Sequence, residues 1–72
     1  MMISDLISIV AAGGGLRIDC RGKMVSDIVR IVAAAGNNRA FVVLENTTQM
    51  MVADKIKIAA AGKGFVFFND KV

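Results

Sequence analysis

Apolar residues along this chain occur in two alternating kinds of segment. Three segments begin at a Ser-Asp or Ala-Asp pair, continue with branched residues and alanines, and end in glycine, at residues 4–13, 26–36 and 53–62. Each is followed within a few residues by a short apolar run, at residues 16–20, 40–44 and 65–68. Such self-similarity indicates a repeat. The sequence therefore predicts one domain over residues 1–72, built from three units at about 4–22, 26–48 and 53–70.

The first half of each unit predicts a short helix. Ser4 and Ser26 are suitable N-caps, because a hydroxyl accepts hydrogen bonds from the exposed amides of the first turn. The aspartate that follows complements the positive end of the helix dipole, and alanine is the best helix former. Gly13, Gly36 and Gly62 then lie where helices commonly end in a left-handed residue.

The second half of each unit predicts a strand. Successive parallel strands are joined by right-handed helical crossovers, so we expect a small α/β fold with a three-stranded parallel sheet and helices on one face. An all-β alternative exists, since Lys55-Ile56-Lys57-Ile58 alternates as a strand does, and each unit would then be a hairpin. The alanine triplets favour the helix.

The second face of the predicted sheet suggests an interface. The first strand alternates apolar and charged residues, whereas residues 41–44 and 65–68 are apolar on both sides. Parallel strands of that kind are normally covered on both faces, and three short helices cover only one. We therefore predict a homo-oligomer, with a dimer favoured, in which a second copy packs across an isologous interface. The residues predicted to form it are Val42, Leu44, Val66 and Phe68.

Composition favours self-association for a second reason. A chain of this length buries only about 60% of the surface that it exposes when unfolded. Small domains compensate with disulfides, metals or association. Here 56% of residues are hydrophobic, Cys20 is the only cysteine, and there is no histidine. An intrachain disulfide is impossible and a structural zinc site within one chain is not expected, which leaves association.

Candidate catalytic groups have simpler interpretations. The absence of histidine removes the Ser-His and Cys-His pairs, and Cys20 on an apolar strand is more typical of a small hydrophobe than of a nucleophile. Asp5, Asp27 and Asp54 recur at one repeat position, where a helix-capping role explains them without a metal ion. We expect no catalytic, cofactor or metal site, and no enzymatic activity.

Location is predicted from the apolar runs. The longest uncharged stretch covers residues 6–16 and contains three glycines, whereas a membrane span needs about 20 apolar residues. The start of the chain also lacks the basic region and the long apolar run of a secretory signal. We therefore expect a cytoplasmic protein without a membrane partner.

Net charge is +3, and it suggests the alternative function. Arg30, Lys55 and Lys57 are predicted to gather on the outer helical side as a basic face, which would suit non-specific contact with nucleic acid. The leading hypothesis is a non-catalytic, self-associating protein-interaction module whose partner is a second copy or another protein. The alternative is a small basic nucleic-acid-binding or regulatory protein.

Overall fold

Three helices alternate with three strands along the chain. The computed structural model describes residues 2–69, and its elements are α1 (Ile3–Ala11), β1 (Leu16–Asp19), α2 (Val25–Asn37), β2 (Val42–Glu45), α3 (Val52–Gly62) and β3 (Val66–Phe68). The predicted helix–strand units are confirmed and the hairpin alternative is wrong. The predicted end of the third unit at residue 70 lies outside the described residues. None of the helices in the described part is long and apolar enough to cross a membrane.

The strands form one parallel sheet in the order β1-β2-β3. Leu44 in the central strand lies beside Ile18 of β1 and Phe68 of β3. Ile28 of α2 and Ile58 of α3 belong to the same buried cluster as Leu44, so α2 and α3 cover the same face of the sheet, as crossovers of one hand require. Helix α1 packs against α2, so the predicted arrangement of helices on one face is confirmed.

The core lies between this face and the helices. The helical period brings residues three and four apart onto one side of a helix, which explains why Ile28, Ile31 and Val32 of α2 are all fully buried. The apolar side chains that are fully enclosed, as a set, are Val10, Ile28, Ile31, Val32, Val42, Leu44 and Ile58. They belong to one continuous cluster.

The helices begin one residue before the predicted serines. Their N-caps are methionines at Met2, Met24 and Met51, each in an extended conformation. Ser4 and Ser26 lie inside the first turn, so the prediction of serine caps is wrong. The aspartate next to the serine position does the capping in α1, where the Met2 backbone amide donates to the Asp5 carboxylate at 3.3 Å.

Two of the three repeat glycines act in packing and not in turns. Gly13 does follow α1 with a φ of +94°, as predicted. Gly36 and Gly62 instead lie within α2 and α3 and are buried. A Cβ atom on Gly36 would lie 2.7 Å from the Gly62 carbonyl oxygen. The glycines therefore permit a close approach between these two helices.

Replacing Gly36 with alanine tests this contact. Alanine is the better helix former by about 1 kcal/mol, but the clash with the backbone of α3 forces the helices apart. We expect Gly36→Ala to lower the free energy of unfolding by about 1–3 kcal/mol, as overpacking does. Urea denaturation followed by circular dichroism measures it, with Ser26→Ala as an exposed control in α2. A Gly36→Ala variant as stable as the wild type would contradict the packing role.

Candidate functional site

The four residues predicted to form the interface lie on the helix-covered face of the sheet. Val42 and Leu44 are 0% exposed, and Val66 and Phe68 are half-buried against the same core. The assignment of these residues to the uncovered face is therefore wrong. Because β2 and β3 are apolar on both sides, their own pattern does not say which side faces the helices; the register with β1 decides it.

The opposite side of the sheet is the uncovered one, and we call it the open face. Residues two apart in a strand point to the same side, and backbone hydrogen bonds extend the ladder beyond the strand ends. The Val42 amide donates to the Phe65 carbonyl at 2.9 Å, and the Asn69 amide donates to the Leu44 carbonyl at 2.8 Å. The open face consists of Arg17, Asp19, Phe41, Val43, Glu45, Phe65, Phe67 and Asn69.

Three phenylalanines form an aromatic cluster on the open face. The rings of Phe41 and Phe67 stack with centroids 5.2 Å apart, and Phe65 meets Phe41 edge-on at 5.9 Å. Phe41 is 45% exposed and Phe67 is 59% exposed. Neighbouring exposed aromatic rings are typical of a surface that binds another molecule.

Charged and amide side chains occupy the other half of the open face. Arg17 Nε lies 3.8 Å from Glu45 Oε2, and the Asn69 side-chain amide donates to the same carboxylate oxygen at 3.3 Å. A shallow depression of about 300 Å³ lies between Arg17, Val43 and Phe67. The open face thus presents an apolar region directly beside a charged pair.

A second concave region lies at the edge of the sheet where the strands end. This cleft of about 590 Å³ is formed by the loops that follow β1 and β2, and its lining includes Arg21, Lys23 and Asp54. Both of its cations already bind Asp19. The Arg21 guanidinium donates to the Asp19 carboxylate at 2.8 Å, and Lys23 Nζ donates to the Asp19 carbonyl oxygen at 3.0 Å.

Asp19 is the most strongly perturbed acid among the described residues. The Arg21 side chain, the Arg21 backbone amide and the Asn46 side chain donate to this carboxylate, in that order of effect, and hold its pKa well below the usual range. The Asn46 amide reaches it at 3.0 Å from the end of the neighbouring strand. This network links two loops across the cleft, so its role is to hold the loops together.

The predicted basic face is spread over two helices. Arg30 on α2 and Lys57 on α3 are exposed, whereas Lys55 is half-buried. Arg30 Nη1 lies 3.6 Å from Asp27 Oδ1 one turn earlier, which offsets part of its charge. Nucleic-acid binding through these residues stays a prediction.

The other candidate groups occupy structural positions. Cys20 is 4% exposed within the core, and Asp5, Asp27 and Asp54 each lie in the first turn of their own helix. Within residues 2–69, no three side chains of cysteine, aspartate or glutamate lie close enough to hold a metal ion. Each aspartate is thus placed to complement the positive end of its own helix dipole.

The residues that the sequence prediction missed are Phe41, Phe67, Arg17 and Glu45. A signal for them was present at the strand ends. Glu45 lies two residues after Val43, and Asn69 lies two residues after Phe67. Polar residues therefore occupy alternate positions that point to the same side of the sheet as the open-face residues. Arg17 gave the same indication in β1.

Comparison with known proteins gives no further guidance. No family model, no curated protein and no solved structure matches this chain.

The Asp19 network makes a prediction about pH. We expect the Asp19 carboxylate to stay ionised well below pH 4 in a ¹³C NMR titration, and Arg21→Gln to raise its pKa towards the ordinary value of about 3.9. Because the pKa is lower in the folded than in the unfolded chain, the network stabilises the fold above about pH 4, and this contribution is lost as the pH falls through the folded pKa. Lys57→Gln, with the same loss of charge, is the control. An ordinary Asp19 midpoint in the wild type would rule out the network.

Proposed function

We propose that this chain is a non-catalytic protein-interaction module that self-associates through the open face of its sheet. The observation that carries the proposal is the pair of stacked, half-exposed rings of Phe41 and Phe67 on a sheet face without helices. A parallel sheet is normally buried on both sides. A second copy supplies the missing cover.

The energetics favour the aromatic cluster as the centre of the interface. Full burial of a phenylalanine side chain contributes about 1.5–3 kcal/mol. Burial of the parts of Phe41 and Phe67 that are still exposed would therefore stabilise the dimer by about 1 kcal/mol for each side chain. Stacked aromatic pairs add to the burial term. Interface energy commonly concentrates in a few central aromatic and arginine residues, and the open face offers both kinds.

A non-catalytic role agrees with the chemistry of the side chains. The chain contains no histidine, and its single cysteine is enclosed in the core. Cys20 forms no disulfide within the chain because it has no second cysteine to pair with, a composition typical of reducing compartments. The proposal accordingly locates the module in the cytoplasm.

Substitution of Phe67 tests the proposed surface. We expect the wild-type protein to sediment at about twice the 7.6 kDa mass of the chain at tens of micromolar concentration. Phe67→Asp should lower the mass to that of the monomer, because the interface would then bury an unpaired charge. Its helical circular dichroism should be retained, since the side chain lies outside the core.

The matched control is Ile56→Asp. Ile56 is 63% exposed on α3, close to the exposure of Phe67, but it lies on the helical side of the molecule. This variant should keep the dimer mass. A wild-type monomer would contradict self-association, and a dimer that Ile56→Asp dissociates and Phe67→Asp does not would place the interface on the helical side.

A further inference from the structure

The open face is divided along a diagonal. Its middle row, read across the strands, is Arg17, Val43 and Phe67. Phe41 and Phe65 lie two residues before this row, just ahead of β2 and β3, and Asp19, Glu45 and Asn69 form a third row two residues after it. The apolar corner is therefore at the start of β3 and the charged corner at the end of β1.

Positions on the two sides of this diagonal match in chemistry. The line runs from Phe65 through Val43 to Asp19, and reflection across it exchanges Phe41 with Phe67 and Arg17 with Glu45. Neighbouring strands are about 4.8 Å apart, and residues two apart along a strand are about 6.6 Å apart. With the axis close to this line, at 45° to the strands, the exchanged positions coincide to within about 2 Å on a flat grid of these spacings, a distance that side chains of this length accommodate.

We infer that Arg17 and Glu45 select a second copy of this chain and set its orientation, with a twofold axis along the diagonal so that Arg17 of each copy pairs with Glu45 of the other. This inference rests on the proposed function. Phe41 of each copy then packs on Phe67 of the partner subunit. The strands of the two sheets cross near 90°, which is one of the two common ways in which sheets pack.

The other orientations produce poor contacts. A twofold axis along the strands would lay the charged Arg17 on Phe67 of the partner subunit. An axis across the strands would lay Glu45 on the partner's Phe41, and the second diagonal would lay Arg17 on the partner's Phe41. Unpaired charges buried against apolar groups disfavour an interface. The layout of the open face thus favours one orientation.

Arg17 is available for this pairing, and Glu45 accepts a hydrogen bond from the Asn69 side chain at 3.3 Å. The Arg17 side chain is 69% exposed, and its Nε atom is 3.8 Å from Glu45 of its own chain, farther than a hydrogen bond reaches. Asp19 would meet the partner's Asp19 on the axis, but each carboxylate is already neutralised by Arg21, whose Nη2 lies 2.8 Å away. The axis therefore brings together two neutral pairs.

Exchange of the two charges tests the orientation. Arg17→Glu and Glu45→Arg should each raise the dissociation constant of the homodimer about tenfold or more, because each creates two like-charged pairs across the interface. The double variant should recover the wild-type constant. A mixture of the two single variants should form the heterodimer in preference to either homodimer, since both cross-pairs are then of opposite charge. Native mass spectrometry separates the three species, and sedimentation gives the constants.

Controls separate this inference from simpler explanations. Lys57→Glu changes the net charge as Arg17→Glu does, on the helical side, and should leave the dissociation constant unchanged. The double variant could recover the wild-type dissociation constant while the mixed single variants form no excess of heterodimer. That result would show that the charges act through the Arg17–Glu45 pair within one chain, and it would overturn the inference. A dimer that neither single variant weakens would also overturn it while the proposed function stands. A wild-type monomer would remove both.

Discussion

The architecture follows from one topological constraint. Strands that lie in chain order place the crossover helices α2 and α3 on the same side of the sheet when both crossovers have the same hand, as the right-handed rule requires, and α1 packs beside them against α2. That side becomes the core, where Val42 and Leu44 lose all contact with solvent. The other side receives no element from residues 2–69, and its exposed phenylalanines are a direct consequence of this connectivity.

The elements and their order were predictable because the repeat is expressed in local preferences. Alanine-rich segments with an aspartate in the first turn form helices, and short branched runs form strands. The side of β2 and β3 that faces the helices was not predicted correctly, because a strand that is apolar on both sides shows no alternation of apolar and polar residues. Arg17, Glu45 and Asn69 mark which alternate positions along each strand are polar. Only the register between the strands shows that these positions lie on one face of the sheet.

Contacts between distant residues lay beyond the local patterns. The Asn46 amide reaches Asp19 across 27 positions, and the glycine of α2 approaches the backbone of α3 across 26. An asparagine in a turn or a glycine near a helix end does not by itself indicate such a contact, since both have ordinary local roles. The repeat predicted where these residues lie along the units, but their partners depended on how the units stack.

The open face is not the only exposed apolar surface of the described residues, since Val52 and Ile56 are also exposed on the outer flank of α3. The open face is the one with aromatic rings and with charges arranged for a second copy. An isotope-filtered NOE experiment on a mixture of labelled and unlabelled protein distinguishes them most directly. Intermolecular NOEs between the rings of Phe41 and Phe67 are the predicted result. Intermolecular NOEs confined to Val52 and Ile56, with none from the rings, would contradict the account.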